Sequence, residues 1–227
     1  MPLVRSLITT LVGASALALA APAFAGVREI GYPTPFPEAS CPTNCQAIGK
    51  VSGYQVQLGK HKNPFEVNRP GKIVAFTIRL GKPSADQIQF FTNLFGGEPE
   101  ARLSVLSTLK RGRKAKLVGQ SEIFKLGDYY GSTPTFALSS PLDVPAHSTI
   151  ALTVPTWAPA FAVDLGSDQA WRSSRPKSDC NDVQKGADQE RLHSVVAYQC
   201  FYRTARVLYS ATFVPTPKPT TKKRSRH

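Results

Sequence analysis

Lys72–Leu80 is the segment that most restricts what this chain can fold into. Val74, Phe76, Ile78 and Leu80 are all apolar and alternate with Ile73, Ala75, Thr77 and Arg79. Successive side chains of a strand point to opposite faces, so the wholly apolar set is expected to face a core. Further β-rich runs occur at Tyr54–Leu58, Arg102–Thr108, Lys116–Phe124, Thr135–Leu138 and Thr149–Val154, then at Ser194–Phe201 and Ala205–Phe213. In the last run Val207, Tyr209, Ala211 and Phe213 share one face. Short strands separated by Pro/Gly turns predict a mainly β fold, an antiparallel β-sandwich of jelly-roll type. The 41% hydrophobic content is enough for a packed core and excludes wholesale disorder.

One segment departs from the period of two. Ser84-Ala85-Asp86-Gln87 has the form of a capping box, and Ile88, Phe91 and Phe95 then recur at helical spacing before Gly96. This predicts one short inserted helix of about eleven residues. Its aromatic stripe is read as core packing, not as a ligand site.

The ends of the chain are different in kind. Met1–Arg5 carries a positive charge, Leu7–Ala21 is apolar, and Ala23-Phe24-Ala25 offers a small-residue cleavage site. That order reads as a secretory signal peptide over residues 1–25. The apolar run is shorter than the roughly 20 residues a spanning helix needs, so a retained anchor is disfavoured. No second long apolar run follows, so no transmembrane segment is expected in the mature chain. Residues 26–52 read as a Pro-rich lead-in, with Pro33, Pro35 and Pro37 favouring an extended surface strap. Residues 53–215 then form the sandwich domain. Residues 216–227 are Pro/Thr-rich and basic, and are expected to be a disordered tail.

All four cysteines, Cys41, Cys45, Cys180 and Cys200, lie beyond the cleavage site. Export makes disulfides the expected state, and three pairings are possible. The local pairs Cys41–Cys45 and Cys180–Cys200 are favoured over crossed ones. Neither pair has CxxC spacing and no His sits at a finger-like distance, so a zinc site is disfavoured.

Catalytic motifs do not emerge. There is no G-x-S-x-G elbow, H-E-x-x-H, P-loop or G-x-G-x-x-G. A triad assembled from a Ser, His193 and Asp188 has no support without geometry. Six of the 15 acids, Asp164, Asp168, Asp179, Asp182, Asp188 and Glu190, fall in one polar segment. Two of them facing each other would suit glycoside cleavage, and several together would suit Ca²⁺. The plainer alternative is a polar loop stapled by Cys180–Cys200. No metal or other cofactor is implied, and no catalytic residue is assigned.

Charge gives the strongest pointer to a partner. The formal net charge is +13, and five cations, Lys110, Arg111, Arg113, Lys114 and Lys116, crowd around Gly112 between two strand-like runs. A cationic hairpin tip attracts polyanions, although such a tip also keeps a protein soluble and guards a sheet edge. No aromatic residue interleaves this run, and export disfavours a nucleic-acid partner. Trp157 and Trp171 are the aromatic candidates. Held in loops at a sandwich end they would stack on sugar rings, and the alternative for each is core packing.

The runs Leu152-Thr153-Val154-Pro155-Thr156-Trp157-Ala158-Pro159, Ala101–Leu106, Tyr198-x-Cys200 and Ala205–Ser210 carry a family resemblance. Over roughly Cys41–Phe213 the chain resembles the uncharacterised secreted β-sandwich proteins of actinobacteria. That resemblance implies export and a sandwich fold, and it implies no catalytic residue. The expectation is therefore a secreted, extracellular or cell-wall-associated, non-enzymatic binding protein. Its ligand would be an anionic wall polymer or a polysaccharide. The alternatives are a carbohydrate-active hydrolase or lyase using the acids of residues 164–193, and a structural wall component. The sequence leaves the oligomeric state open.

Overall fold

The computed structural model describes residues 26–31, 35–108 and 113–217. Residues 1–25, read above as a signal peptide, Lys110, Arg111 and nearly all of residues 216–227 lie outside the described residues. In chain order the elements begin with β1 (Arg28–Ile30), β2 (Ile48–Leu58), β3 (His61–Lys62), β4 (Glu66–Val67) and β5 (Gly71–Ile78). Next come α1 (Ala85–Phe95), β6 (Glu100–Thr108), β7 (Lys114–Gln120), β8 (Phe124–Lys125), β9 (Thr135–Val144) and β10 (Ser148–Ala158). The last are β11 (Phe161–Ala162), β12 (Gln169–Ser173), β13 (Val195–Ala197), β14 (Cys200–Arg203), β15 (Arg206–Val207) and β16 (Tyr209–Pro215).

These strands form two main antiparallel sheets. The smaller has the order β1-β16-β5-β9, and the larger runs β13-β7-β6-β10-β2-β12-β14. The chain passes between the sheets repeatedly: β5 and β9 join the small sheet while β4, β6, β8 and β10 join the large one, and β15, just before β16, pairs with β11 in a separate two-stranded sheet. A single apolar cluster fills the space between. Phe76, Ile78, Tyr209 and Phe213 of the small sheet meet Val51, Leu103, Val105 and Leu152 of the large one. The Tyr209 hydroxyl crosses the gap and donates to the Ile150 carbonyl at 3.0 Å. The antiparallel, sandwich-like architecture with one short helix therefore matches the sequence reading. Both local disulfides, Cys41–Cys45 and Cys180–Cys200, are formed. Among the described residues no helix is long and apolar enough to cross a membrane.

The helix starts and stops where its caps predict. Ser84 Oγ accepts from the Gln87 amide, and the Gln87 side chain accepts from the Ser84 amide at 2.9 Å. Gly96 ends it at φ +75°, a conformation that favours glycine. Phe91 and Phe95 pack against Trp157, as expected of a core stripe.

The strongest strand needs one correction. Ile73, not Val74, is fully buried. Thr212 lies opposite Ala75 and Phe213 opposite Ile73, so Val74 has no partner on β16 and is a bulge residue. A bulge shifts the face pattern by one residue, and every position before it changes side. The expected alternation holds only from Phe76 onward. In β16, which carries no extra residue, Tyr209, Ala211 and Phe213 share the core face as read.

The lead-in is also less separate than expected. Arg28–Ile30 pairs with Ala211–Phe213 at the edge of the small sheet, and β2 begins at Ile48, well before Gly53. β12 had no sequence signal: Gln-Ala-Trp-Arg-Ser is too short and mixed to show a period.

Candidate functional site

The two tryptophans set the first limit. Trp157 is not in a loop. It lies on β10 beyond a bulge between Val154 and Trp157, where Pro155 is tolerated in the sheet. Its ring is fully buried under α1, and its indole N–H donates to the Gly97 carbonyl at 3.1 Å. Trp171 sits on β12 in the intersheet core at 6% exposure, stacked on Tyr202 at 4.7 Å. Neither offers an open face to a sugar ring, so the expected stacking role is withdrawn for both.

The acid-rich segment is a cover. It lies across the outer face of the large sheet, where β2, β6 and β10 present Ser52, Ser104 and Thr153. The three hydroxyls form a chain with both links at 2.7 Å. Gln189 closes over it. Its amide N–H donates to Ser52 Oγ at 2.9 Å, and its side chain donates to the carbonyls of Ala115 and Ser194. The Tyr198 hydroxyl donates to Gln189 Oε1 at 2.9 Å. All five side chains are buried. The Ala187 amide bonds Lys50 O, and Ser174 Oγ donates to Ala187 O, so the cover is pinned along its length.

The acids themselves are dispersed. Glu190 pairs with Arg102 at 2.6 Å, and Asp179 pairs with Lys185 at 2.6 Å. Asp182 accepts from the Lys185 amide, and Asp164 accepts from Asn44. Asp168 is exposed. Burial, assisted by the charge of Glu190, raises Asp188 above the ordinary carboxylate range against the pull of Arg102 and Lys50. Asp188 and Glu190 lie on the covered outer face, away from Trp171. Of the six, only Asp164 lines the cavity that Trp171 also lines. Glycoside cleavage needs two carboxylates across a bound sugar, and this cavity supplies one. No group of three or more His, Cys, Asp or Glu side chains suited to a metal ion occurs among the described residues.

That cavity, about 360 Å³, opens at one end of the sandwich. The start of β2 gives it Ile48, Gly49 and Val51. Phe161, Val163 and Trp171 form an apolar wall, and Asp164, Val183 and Arg203 lie around it. Both staples border it: Gln46 and Ala47 follow the Cys41–Cys45 turn directly, and Cys180 is part of the wall. Arg175, also in the wall, is only 4% exposed. Its Nη2 donates to the carbonyls of Val183 and Lys185, and its Nε has no partner among the described residues. The indole N–H of Trp171 is likewise buried without an acceptor among the described residues. Sequence spacing gave no sign of this cavity, because its walls come from five separate stretches of chain.

A cationic–aromatic row crosses the large sheet nearby. Arg172 lies opposite Phe201 on one side and Tyr54 on the other. The Arg172 guanidinium sits 4.8 Å from the Phe201 ring centre, and Arg203 covers the same ring at 5.3 Å. Tyr54 contacts Tyr198, whose amide donates to the carbonyl of Arg113. Burial, then the charge of Arg113, holds the Arg172 guanidinium below its ordinary value. Arg113 is thus close enough for its charge to act on this row. Lys114 and Lys116 do not face it: they alternate with Ala115 and Leu117, which pack on the Tyr198 side, so the two lysines project from the opposite face. The antiparallel β6–β7 pairing, with Thr108 opposite Ala115, agrees with a hairpin here, and its tip at Lys110, Arg111 and Gly112 lies outside the described residues. Phe201 and Arg203 are two apart on β14, and Arg172 was missed as their partner because only the strand register brings it to them.

In comparisons with known proteins, the chain matches no family model, no curated protein and no solved structure.

Proposed function

We propose that this chain is an exported, non-enzymatic binding protein that holds an anionic extracellular polymer against the outer face of its large sheet. The observation that carries this reading is that Arg172 and Arg203 both lie over the Phe201 ring, with the field of Arg113 reaching Arg172. Among the described residues none of these arginines makes an ion pair. A cation on an aromatic face keeps its charge available while its position is fixed. The formal charge of +13 adds long-range attraction for the same partner. Export and an envelope location remain part of the proposal, supported by the Met1–Ala25 pattern and the two disulfides.

Co-sedimentation of the mature protein with isolated anionic wall polymer over a salt series tests it. Retention should fall as salt screens the face. Arg113→Ala with Arg203→Ala should weaken retention about three- to tenfold, and Lys114→Ala with Lys116→Ala should weaken it less. Salt-independent retention, or an equal loss from the lysine pair, would remove this face as the binding surface.

A further inference from the structure

The cavity beside the second staple holds two groups that the polymer-binding face does not use, Arg175 and the indole N–H of Trp171. Arg175 is a buried cation, and among the described residues no carboxylate lies within ion-pair distance of it. Asp179, which feels its charge, is bound to Lys185 instead. A buried charge is normally paired, because removing it from water is costly. Among the described residues Arg175 Nε and Trp171 Nε1 are both buried donors without acceptors, and both residues line this cavity. The six-membered edge of Trp171 rests against Gly53, where a Cβ would meet it at 2.8 Å. Covalent geometry therefore turns its N–H edge away from Gly53. Arg203, a second guanidinium without an ion pair, also lines the cavity, while its one carboxylate, Asp164, is engaged by Asn44.

Ile48, Val51, Phe161 and Val163 give the remaining wall an apolar side, and Gln46 and Thr204 add polar groups to the lining. Trp171 cannot serve as a sugar platform, since Tyr202 covers one of its faces and Phe161 meets it edge-on. Two guanidiniums, unpartnered donors and an apolar wall match an anionic head on an apolar body. A volume of about 360 Å³ lies within the range of pockets that hold small ligands, about 300–1,000 Å³.

We infer that this cavity binds a small amphipathic carboxylate, with its acid group toward Arg175 and Arg203 and its apolar body against Ile48, Val51 and Phe161. The site shares Arg203 with the polymer-binding face and is otherwise built from different residues. Arg203 borders both, whereas Arg113 belongs to the outer face alone.

The test is calorimetric titration of the full mature chain with 4-phenylbutyrate and octanoate, each set against the alcohol of the same skeleton. The expected result is saturable one-to-one binding of at least one acid, with its alcohol at least about tenfold weaker. Arg203→Gln, at an exposed position, should weaken the acid about tenfold and leave the alcohol unchanged. Val163→Trp should fill the cavity and abolish acid binding in a protein whose unfolding midpoint is retained, and Arg203→Gln decides the matter if that variant does not fold. Arg113→Ala should leave acid binding intact. No saturable binding of either acid, equal binding of acid and alcohol, or an unchanged acid affinity in Arg203→Gln would overturn the assignment.

Discussion

Gln189 offers the sharpest test of how the outer face of the large sheet is held. In Gln189→Leu the side-chain volume changes little, but the amide is lost. Its donations to the Ala115 and Ser194 carbonyls disappear, each worth about 1 kcal/mol net. The Tyr198 hydroxyl, fully buried, loses its acceptor at a further cost of about 1–3 kcal/mol. The total is roughly 3–5 kcal/mol, a large part of the stability of an ordinary domain. Tyr198→Phe alone should cost about 1–2 kcal/mol, because it leaves Gln189 Oε1 without a donor. The double variant should then be less destabilised than the sum of the two by about 1–2 kcal/mol, since no orphaned hydroxyl remains to penalise. Urea unfolding of the disulfide-intact proteins, with m-values compared, measures all three changes. Strict additivity would refute the pairing of Tyr198 with Gln189. A loss below about 1 kcal/mol in Gln189→Leu would show that the cover is not pinned through this residue.

Two further outcomes follow from buried or cross-linked groups. Burial raises the Tyr198 and Tyr209 hydroxyls above their ordinary value, so the folded chain keeps two protons that the unfolded chain releases above about pH 10. Stability is therefore complete below that pH and falls above it, by roughly 1.4 kcal/mol per tyrosine per pH unit, until the folded state itself titrates. Urea midpoints taken from pH 8.5 to 11.5 should decline accordingly, and a flat profile would contradict the burial of these hydroxyls. Replacing Cys180 and Cys200 by Ser opens a link across a sequence separation of 20, worth about 3 kcal/mol in the chain-entropy account. The same change at Cys41 and Cys45, separated by 4, should cost only about 2 kcal/mol, and a reversed order in urea unfolding would count against that account here.

Local signals were read correctly wherever one element decides its own geometry. The Ser84–Gln87 capping box and Gly96 set both ends of α1 without help from the rest of the fold. Alternation located the core face of β16 for the same reason, since nothing interrupts its period. It failed in β5 at Val74, because a bulge is a property of two paired strands and leaves no mark in one of them. Trp157 shows the same limit: Pro155 signals a loop in isolation, yet the bulge it occupies lets β10 continue to the tryptophan beneath α1.

The candidate sites lay further from what spacing can show. Ser52, Ser104 and Thr153 form a polar strand face, which in a single sequence reads as a solvated surface. Here the segment around Gln189 returns from far along the chain to cover it, so hydroxyls that would face water become the floor of a buried network. That covering ends at Tyr198, and beyond it the same sheet face emerges as the Tyr54, Arg172 and Phe201 row. One strand register thus fixes both the buried network and the half-exposed cationic row. The Lys110–Lys116 run, dense in charge but split by strand alternation, brings the charge of Arg113 to act on that row and turns Lys114 and Lys116 away from it. Charge density along a chain therefore ranks segments poorly as binding surfaces. What ranks them is which face of which strand the charges occupy, and on this sheet that is decided by partners remote in sequence.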